Sequence, residues 1–80
     1  MGLTDFGRAC KRVRHRLGLS ESLQAAAMGI LPPLLRRIEH GEARMIGQHV
    51  DDAVEYLTDH GADDGEIAAI RAAGSVWVRK

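Results

Sequence analysis

The stretch Ser20–Gly41, SESLQAAAMGILPPLLRRIEHG, decides how this chain folds. Ser20 has a side-chain acceptor that suits the N-cap of a helix, and the alanine-rich run after it favours helix as far as Gly29. A second helix can begin at Pro32, because the N–H that proline lacks would have no partner at the first helical position. Gly41 would end that helix. Two short helices joined by a glycine-containing turn form a helix-turn-helix pattern.

The rest of the chain up to Gly74 predicts three more helices, because apolar residues recur there at helical spacing. The predicted helices run from the Thr4 cap to about Leu17, from about Gln48 to His60, and from the capping-box-like pair Asp63 and Glu66 to Gly74. The residues expected in the core are Phe6, Cys10, Val13, Leu17, Leu23, Ala27, Met28, Leu35, Ile38, Val50, Ala53, Val54, Leu57, Ile67, Ile70 and Ala73. We therefore expect an all-α fold of four or five short helices.

The last six residues, Ser75–Lys80, differ in character from the helical part. They are β-branched and aromatic with alternating side chains, which predicts a short C-terminal β-strand. Such a strand could pair with the same strand of a second copy. Alternatively, the tail folds back and buries Trp77 against the first and fifth helices. The residues expected at the dimer contact are Ile70, Val76, Trp77 and Val78.

The predicted organisation is a single domain over residues 1–74 with a dimerisation tail over residues 75–80. The chain has 80 residues, enough for one small core. No apolar run approaches the roughly 20 residues that span a bilayer, and the start of the chain lacks the apolar segment of a secretory signal. We therefore expect a cytoplasmic protein that has no membrane partner.

Neither an enzyme nor a metalloprotein is expected. Cys10 is the only cysteine, which excludes an internal disulfide and a cysteine-based metal site. The four histidines have no recognised metal-ligand spacing, and neither a nucleophile–base pair nor a glycine-rich phosphate loop is visible. An 80-residue helical domain also offers little room for a substrate pocket. The sequence therefore predicts no catalytic residue, no metal and no cofactor.

The distribution of charge indicates a phosphate-facing side. The formal net charge of the whole chain is zero. Residues 1–44 hold eight Lys/Arg and four Asp/Glu, which gives +4, whereas residues 45–80 hold three and seven, which gives −4. A basic first half of this kind favours nucleic acid as a partner. The alternative is chance patterning of solvated faces.

Residues in and around the central stretch resemble a known family. The matching residues, in order and spacing, are Phe6-Gly7, Val13-Arg14, Gly18-Leu19-Ser20, Ala25, Gly29, Leu35 and Arg37-Ile38-Glu39-His40-Gly41. Over about residues 4–58 the chain is similar to the phage repressor/Cro-type helix-turn-helix family, also called XRE-like. The resemblance implies a lambda-repressor-like DNA-binding domain, usually a homodimer on a two-fold operator. It also implies a partly buried ion pair between Arg14 and Glu39.

The resemblance further implies which residues contact DNA. The family's base-reading positions lie at and after the start of the third helix. Arg36 is the best equipped of them, because arginine donates bidentately to guanine O6 and N7 in the major groove. Pro33 and Leu34 offer shape and contacts to thymine methyl groups. The full set is Ser20 and Glu21 at the start of the second helix, Pro32, Pro33, Leu34 and Arg36 near bases, and Arg37 and Arg44 near phosphates.

Two functions follow from these observations. The first is a small sequence-specific transcription repressor from a phage, plasmid or other mobile element, which binds double-stranded operator DNA as a homodimer. The second is a protein-binding module on the same fold, an antitoxin or antiactivator, whose apolar Leu31–Leu34 surface meets a protein partner. The zero net charge, the apolar entry to the third helix and Glu21, where the family usually has Gln, motivate the second function.

Overall fold

The structure, a computed structural model, describes residues 2–78. These residues form five α-helices. They are α1 (Asp5–Leu17), α2 (Glu21–Ala27), α3 (Pro32–Glu39), α4 (Gly47–Asp59) and α5 (Asp64–Val78). Residues 2–78 form no β-strand, so the prediction of an all-α fold is confirmed. Within the described range, the helices are too short or too polar to cross a membrane.

The helix starts follow the predicted capping chemistry. The side-chain oxygens of Thr4 and Ser20 accept hydrogen bonds from N–H groups in the first turns of α1 and α2, at 3.0 and 3.1 Å. Asp63 and Glu66 cap each other, because each backbone N–H donates to the other's carboxylate, at 2.9 and 2.8 Å. α3 begins at Pro32 without a side-chain cap. Local sequence therefore sets where these helices begin.

The core lies where all five helices meet. Each helix contributes at least one side chain with no exposed surface: Phe6, Ala25, Leu35, Leu57 and Ile70. α5 packs against both α1 and α4, while α2 packs against α3 and α4. α3 also contacts α1, so the α2–α3 pair closes one side of the core. This packing holds α3 in place while leaving its outer face in solvent.

The inner face of α2 differs from the prediction. Leu23 was expected in the core, but it is 60 % exposed, and Ala27 is exposed as well. Met28 is buried as predicted, Gln24 and Ala25 are buried with it, and the spacing of the three places them on one side of the helix. In this register the Gln24 side-chain oxygen accepts a hydrogen bond from the buried Arg14 guanidinium. A buried guanidinium that lacks an acceptor would cost more free energy than the burial of Leu23 would gain.

The predicted C-terminal strand is wrong. α5 continues through Gly74 as far as Val78, and Arg79 and Lys80 lie outside the described residues. Gly74 does not end the helix, because it is buried where a Cβ atom would lie 2.8 Å from the side chain of Val50. Glycine here lets α5 approach α4 closely, and that packing outweighs the β-branched character of the tail.

The helical ending of α5 changes the predicted dimer contacts. Ile70 is fully buried in the core of its own protomer, so it cannot contact a second copy in this fold. Val76 and Trp77 are exposed, and Val78 is half-buried. The Trp77 ring lies beside the turn after α3, 3.6 Å from where a Cβ of Gly41 would be. Because Trp77 is 47 % exposed, the alternative in which the tail folds back and buries it against the first and fifth helices does not hold either.

An ion pair ties the end of α1 to the start of α5. The Arg16 guanidinium donates twice to the Glu66 carboxylate, both times at 2.6 Å, and once to the carbonyl of Gly61 at 3.2 Å. The Arg16 guanidinium and then the backbone N–H of Asp63 lower the pKa of Glu66 to about 2. The carboxylate that caps α5 therefore also holds the end of α1.

The start of α1 touches the end of α3 at Gly7. The Thr4 backbone N–H and hydroxyl both donate to the Glu39 carbonyl oxygen, at 2.9 and 2.8 Å. A Cβ atom on Gly7 would lie 2.9 Å from the Cβ of Glu39 and closer still to its carbonyl. Only glycine permits this contact between the two helices without displacing backbone.

We expect Gly7→Ala to lower the free energy of unfolding by roughly 1–3 kcal/mol, because the new methyl group overpacks the α1–α3 contact. Gly47→Ala is the matched control, since a Cβ there meets nothing within 4 Å in the first turn of α4. That variant should be unchanged or more stable by about 0.4–1 kcal/mol. Urea denaturation followed by circular dichroism measures both. Equal midpoints for the two variants would contradict the close approach.

Candidate nucleic-acid interface

The candidate surface is built on α2, the turn after it, and α3. Residues 28–31 join the two helices, and Gly29 adopts a φ of 73°, a conformation that side chains other than glycine rarely allow. The Ile30 N–H donates to the Ala25 carbonyl at 3.0 Å, which closes the end of α2. The turn thus sends α3 away at a fixed angle while the two helices stay in contact.

α3 has one buried and one exposed face. Leu35, Ile38 and Glu39 point into the protein. Arg36 and Arg37 are exposed on the other side. Among the remaining predicted contacts on this helix, Pro33 is exposed, whereas Pro32 and Leu34 are half-buried. The accessible chemistry of α3 is therefore two guanidinium groups beside an apolar first turn.

A buried ion pair anchors α3 to α1. Arg14 Nη1 donates to Glu39 Oε2 at 2.7 Å, and Arg14 Nη2 donates to Glu39 Oε1 at 3.0 Å. Both side chains are almost fully buried, with 7 % and 1 % of their surface exposed. Burial raises the pKa of Glu39, and the Arg14 guanidinium opposes that rise. The pair that the family resemblance implied is thus present and bidentate.

Gln24 completes this buried cluster and was missed in the sequence. Its Oε1 accepts from Arg14 Nη1 at 2.7 Å, and its Nε2 lies 3.6 Å from the sulfur of Met28. The signal that would have found it is the spacing of Gln24 and Met28, four residues apart on one helical face.

The Cys10 thiol lies in the same region, and burial raises its pKa to about 12, so it is an unreactive core group.

Glu21 and Arg36 form an ion pair between α2 and α3. Arg36 Nη2 donates to Glu21 Oε1 at 3.1 Å. The Glu21 side chain is 27 % exposed and the Arg36 side chain 62 %, so the carboxylate is the more enclosed partner. Both line an open depression of about 340 Å³ between α1, α2 and α3, together with Lys11 and His15. These two predicted contact residues are the ones that the fold brings together.

The other predicted phosphate contacts lie apart from that pair. Arg37 is exposed, and its carbonyl accepts from the N–H groups of Glu42 and Ala43 in the turn after α3, at 2.8 and 3.2 Å. Arg44 follows in this turn and lines a second depression of about 260 Å³ beside Trp77. Ser20 is exposed at the start of α2, where its hydroxyl is used as the helix cap.

Several exposed cations on α1, on α3 and in the turn after α3 make no ion pair within residues 2–78. Within residues 2–78, Arg37 and Arg44 make no ion pair, and neither do Lys11 and Arg12 on α1. Over the same range, no three His, Cys, Asp or Glu side chains are arranged to hold a metal ion. The surface is therefore equipped to attract an anionic partner by positive charge.

Comparisons of the chain with protein-family models, with curated proteins and with solved structures found no match. The likeness to the phage repressor/Cro-type family therefore depends on the residues of α1, α2 and α3 that carry it.

We expect Arg14→Met to lower the free energy of unfolding by roughly 3–5 kcal/mol, because it leaves the Glu39 carboxylate buried without a partner. The double variant Arg14→Met/Glu39→Leu should recover part of that loss, since no charge then remains buried. Urea denaturation of the single and double variants gives the coupling energy.

The control for this cycle is Arg71→Met, which removes the exposed Arg71–Asp51 pair at 3.0 Å. It should cost less than about 1 kcal/mol. A double variant as unstable as the sum of its two single variants would show that Arg14 and Glu39 do not act as a pair.

Proposed function

We propose that the protein is a small sequence-specific DNA-binding repressor that inserts α3 into the major groove of an operator and binds as a dimer. The observation that carries the proposal is the pair of exposed arginines on a helix whose opposite face is anchored by the buried Glu39. Bound near a promoter, such a protein would repress by blocking polymerase.

The chemistry of α3 suits the major groove. An α-helix fits that groove, and arginine donates two parallel hydrogen bonds to guanine O6 and N7. Arg36 has most of its side chain in solvent, so its guanidinium can reach a base edge. Pro33 and Leu34 supply apolar surface at the start of the helix, which suits contacts to thymine methyl groups. These features support direct reading of sequence by α3.

Electrostatics support the same orientation. The exposed cations Lys11, Arg12 and Arg37 lie on α1 and α3, whereas Asp51, Glu55 and Asp59 are exposed on α4. Duplex DNA attracts a basic surface over a long range and repels an acidic one. Although the formal net charge is zero, the separation of charge between helices favours an approach with α1 and α3 toward the phosphates.

A C-terminal apolar patch, defined as Ile46, Val76 and Trp77, supports the dimer. Ile46 and Trp77 are 48 and 47 % exposed and line one depression with Val78, and Val76, next to Trp77 in the chain, is 65 % exposed. Exposed apolar side chains in such a small domain favour a contact with another protein surface. A helical contact through this patch replaces the predicted strand pairing. On a two-fold operator, the two copies of α3 would lie about 34 Å apart.

A second candidate function is favoured by exposed leucines near α3. Leu31 is 74 % exposed just before the helix, and Leu23 is exposed on α2. Such side chains suit a protein-binding module, an antitoxin or antiactivator, that meets its partner through the α2–α3 surface. In that case Glu21 and Arg36 would serve specificity toward a protein.

DNA upstream of the protein's own gene should bind better than random duplex, and the binding should weaken steeply between about 50 and 200 mM salt. Arg36→Ala should cost roughly 1–3 kcal/mol and relax specificity at one base pair. Arg37→Ala is the matched control and should weaken binding to every sequence while lowering the salt slope by about 1. Fluorescence anisotropy measures these affinities.

Upstream DNA that binds no better than random duplex would reject the repressor. An equal loss on every sequence for Arg36→Ala would make that arginine a phosphate contact. Leu31→Ser distinguishes the second function from the first. It should leave DNA affinity nearly unchanged, and it would weaken the binding of a protein partner that uses the apolar surface.

For the dimer, Val76→Glu should raise the dissociation constant at least about tenfold, because it puts a carboxylate into an apolar contact. Leu23→Glu is the matched control, with a similarly exposed side chain outside the patch. Sedimentation equilibrium measures both. A monomeric wild-type protein, or equal weakening by both variants, would contradict dimerisation through this patch.

A further inference from the structure

We infer that Glu21 is a positioning residue for Arg36: it holds one side of the guanidinium so that the remaining donors meet one base, and it thereby sets sequence discrimination. The inference rests on the proposed DNA-binding function. It assigns to Glu21 neither a phosphate contact nor a base contact of its own, but control over the side chain that reads the base.

The geometry makes Glu21 the fixed partner. It is the first residue of α2, where the positive end of the helix dipole favours a carboxylate. Its side chain is less than half as exposed as that of Arg36. The Ser20 cap fixes the backbone just before it. The Glu21 carboxylate is therefore the better fixed partner, and the Arg36 guanidinium lies between it and solvent.

The hydrogen-bonding capacity of arginine leaves room for a base. A guanidinium has five N–H donors, and Arg36 uses Nη2 on Glu21 Oε1 at 3.1 Å. Donors remain on the other nitrogens, and bidentate contact with guanine needs two of them. Because the planar group is held at one corner, fewer of its orientations compete with the one that pairs with the base.

The charge of Glu21 acts in the same direction. A free arginine at the end of a flexible side chain is attracted to any phosphate and so strengthens binding to every sequence. The Glu21 carboxylate offsets that attraction, because it lies against the guanidinium and repels phosphates. Non-specific binding is weakened while the oriented contact to one base is kept. The ratio of specific to non-specific affinity therefore rises on both counts.

The test begins with selection of duplexes from a random pool by the wild-type protein. Absence of any enriched sequence would reject the DNA-reading function itself and the inference with it. Where a sequence is enriched, affinities for that duplex and for its single-base variants are compared between wild type and Glu21→Gln. The amide is nearly isosteric with the carboxylate, so the change removes the charge and replaces the charge-assisted hydrogen bond to Arg36 with a weaker neutral one, with little change of shape.

Glu21→Gln should bind random duplex roughly two- to fivefold more tightly, because one repulsive charge is gone. Discrimination should fall about fivefold or more at the one base pair that Arg36→Ala also relaxes, and remain unchanged elsewhere. In the Arg36→Ala background, Glu21→Gln should have no effect on discrimination. A merely structural role would weaken every sequence alike and lower the urea midpoint.

Glu42→Gln is the matched control, because Glu42 is exposed in the turn after α3 and makes no ion pair with Arg36. The substitution removes the same charge as Glu21→Gln and leaves the Arg36 ion pair in place. It should tighten non-specific binding while keeping full discrimination. Three results would overturn the inference while leaving the DNA-binding function intact. They are full discrimination in Glu21→Gln, an equal loss in Glu42→Gln, and lost preference at a base pair that Arg36→Ala does not affect.

Discussion

The buried contact between Arg14 and Glu39 is the interaction on which the arrangement of the first three helices depends. It joins α1 to α3 through two hydrogen bonds, and Gln24 adds α2 at 2.7 Å from the same guanidinium. A buried charge is costly unless its partners are in place, so the three helices must keep one mutual arrangement. The pair adds little net stability compared with apolar packing, but it restricts the orientations that α3 can take.

The fixed orientation of α3 determines which of its side chains face solvent. Because Leu35, Ile38 and Glu39 hold the inner face, Arg36 and Arg37 are presented to solvent in a defined direction. Glu21 then acts on Arg36 from the start of α2, a residue fifteen positions earlier in the chain. The surface thus combines a rigid helix, one restrained guanidinium and one unpaired guanidinium. A rigid, oriented donor set favours recognition of one sequence over another, whereas freely moving cations favour any phosphate.

Two neighbouring parts of the surface differ in character. The α2–α3 side carries exposed cations, and the end of α5 carries the apolar patch beside the turn that contains Arg44. The close approach of α5 to α4 at Gly74 determines where this patch lies, since it lets the helix run on to Val78. In the proposed repressor, α3 would contact DNA and the apolar patch would contact a second copy, and Arg44 lines the depression between Ile38 of α3 and Trp77 of the patch.

The sequence by itself determined the all-α fold, the helix starts and the inner faces of α1, α3 and α4. Caps such as Thr4 and Ser20 act within four residues, so their signals are readable locally. Only the tertiary structure decided the register of α2, the continuation of α5 and the pairing of Glu21 with Arg36. Each of these depends on residues far away in the chain. Gln24 is buried because it accepts a hydrogen bond from Arg14, and Gly74 stays helical because Val50 packs against it. Local preference is weak in such cases, and packing overrides it.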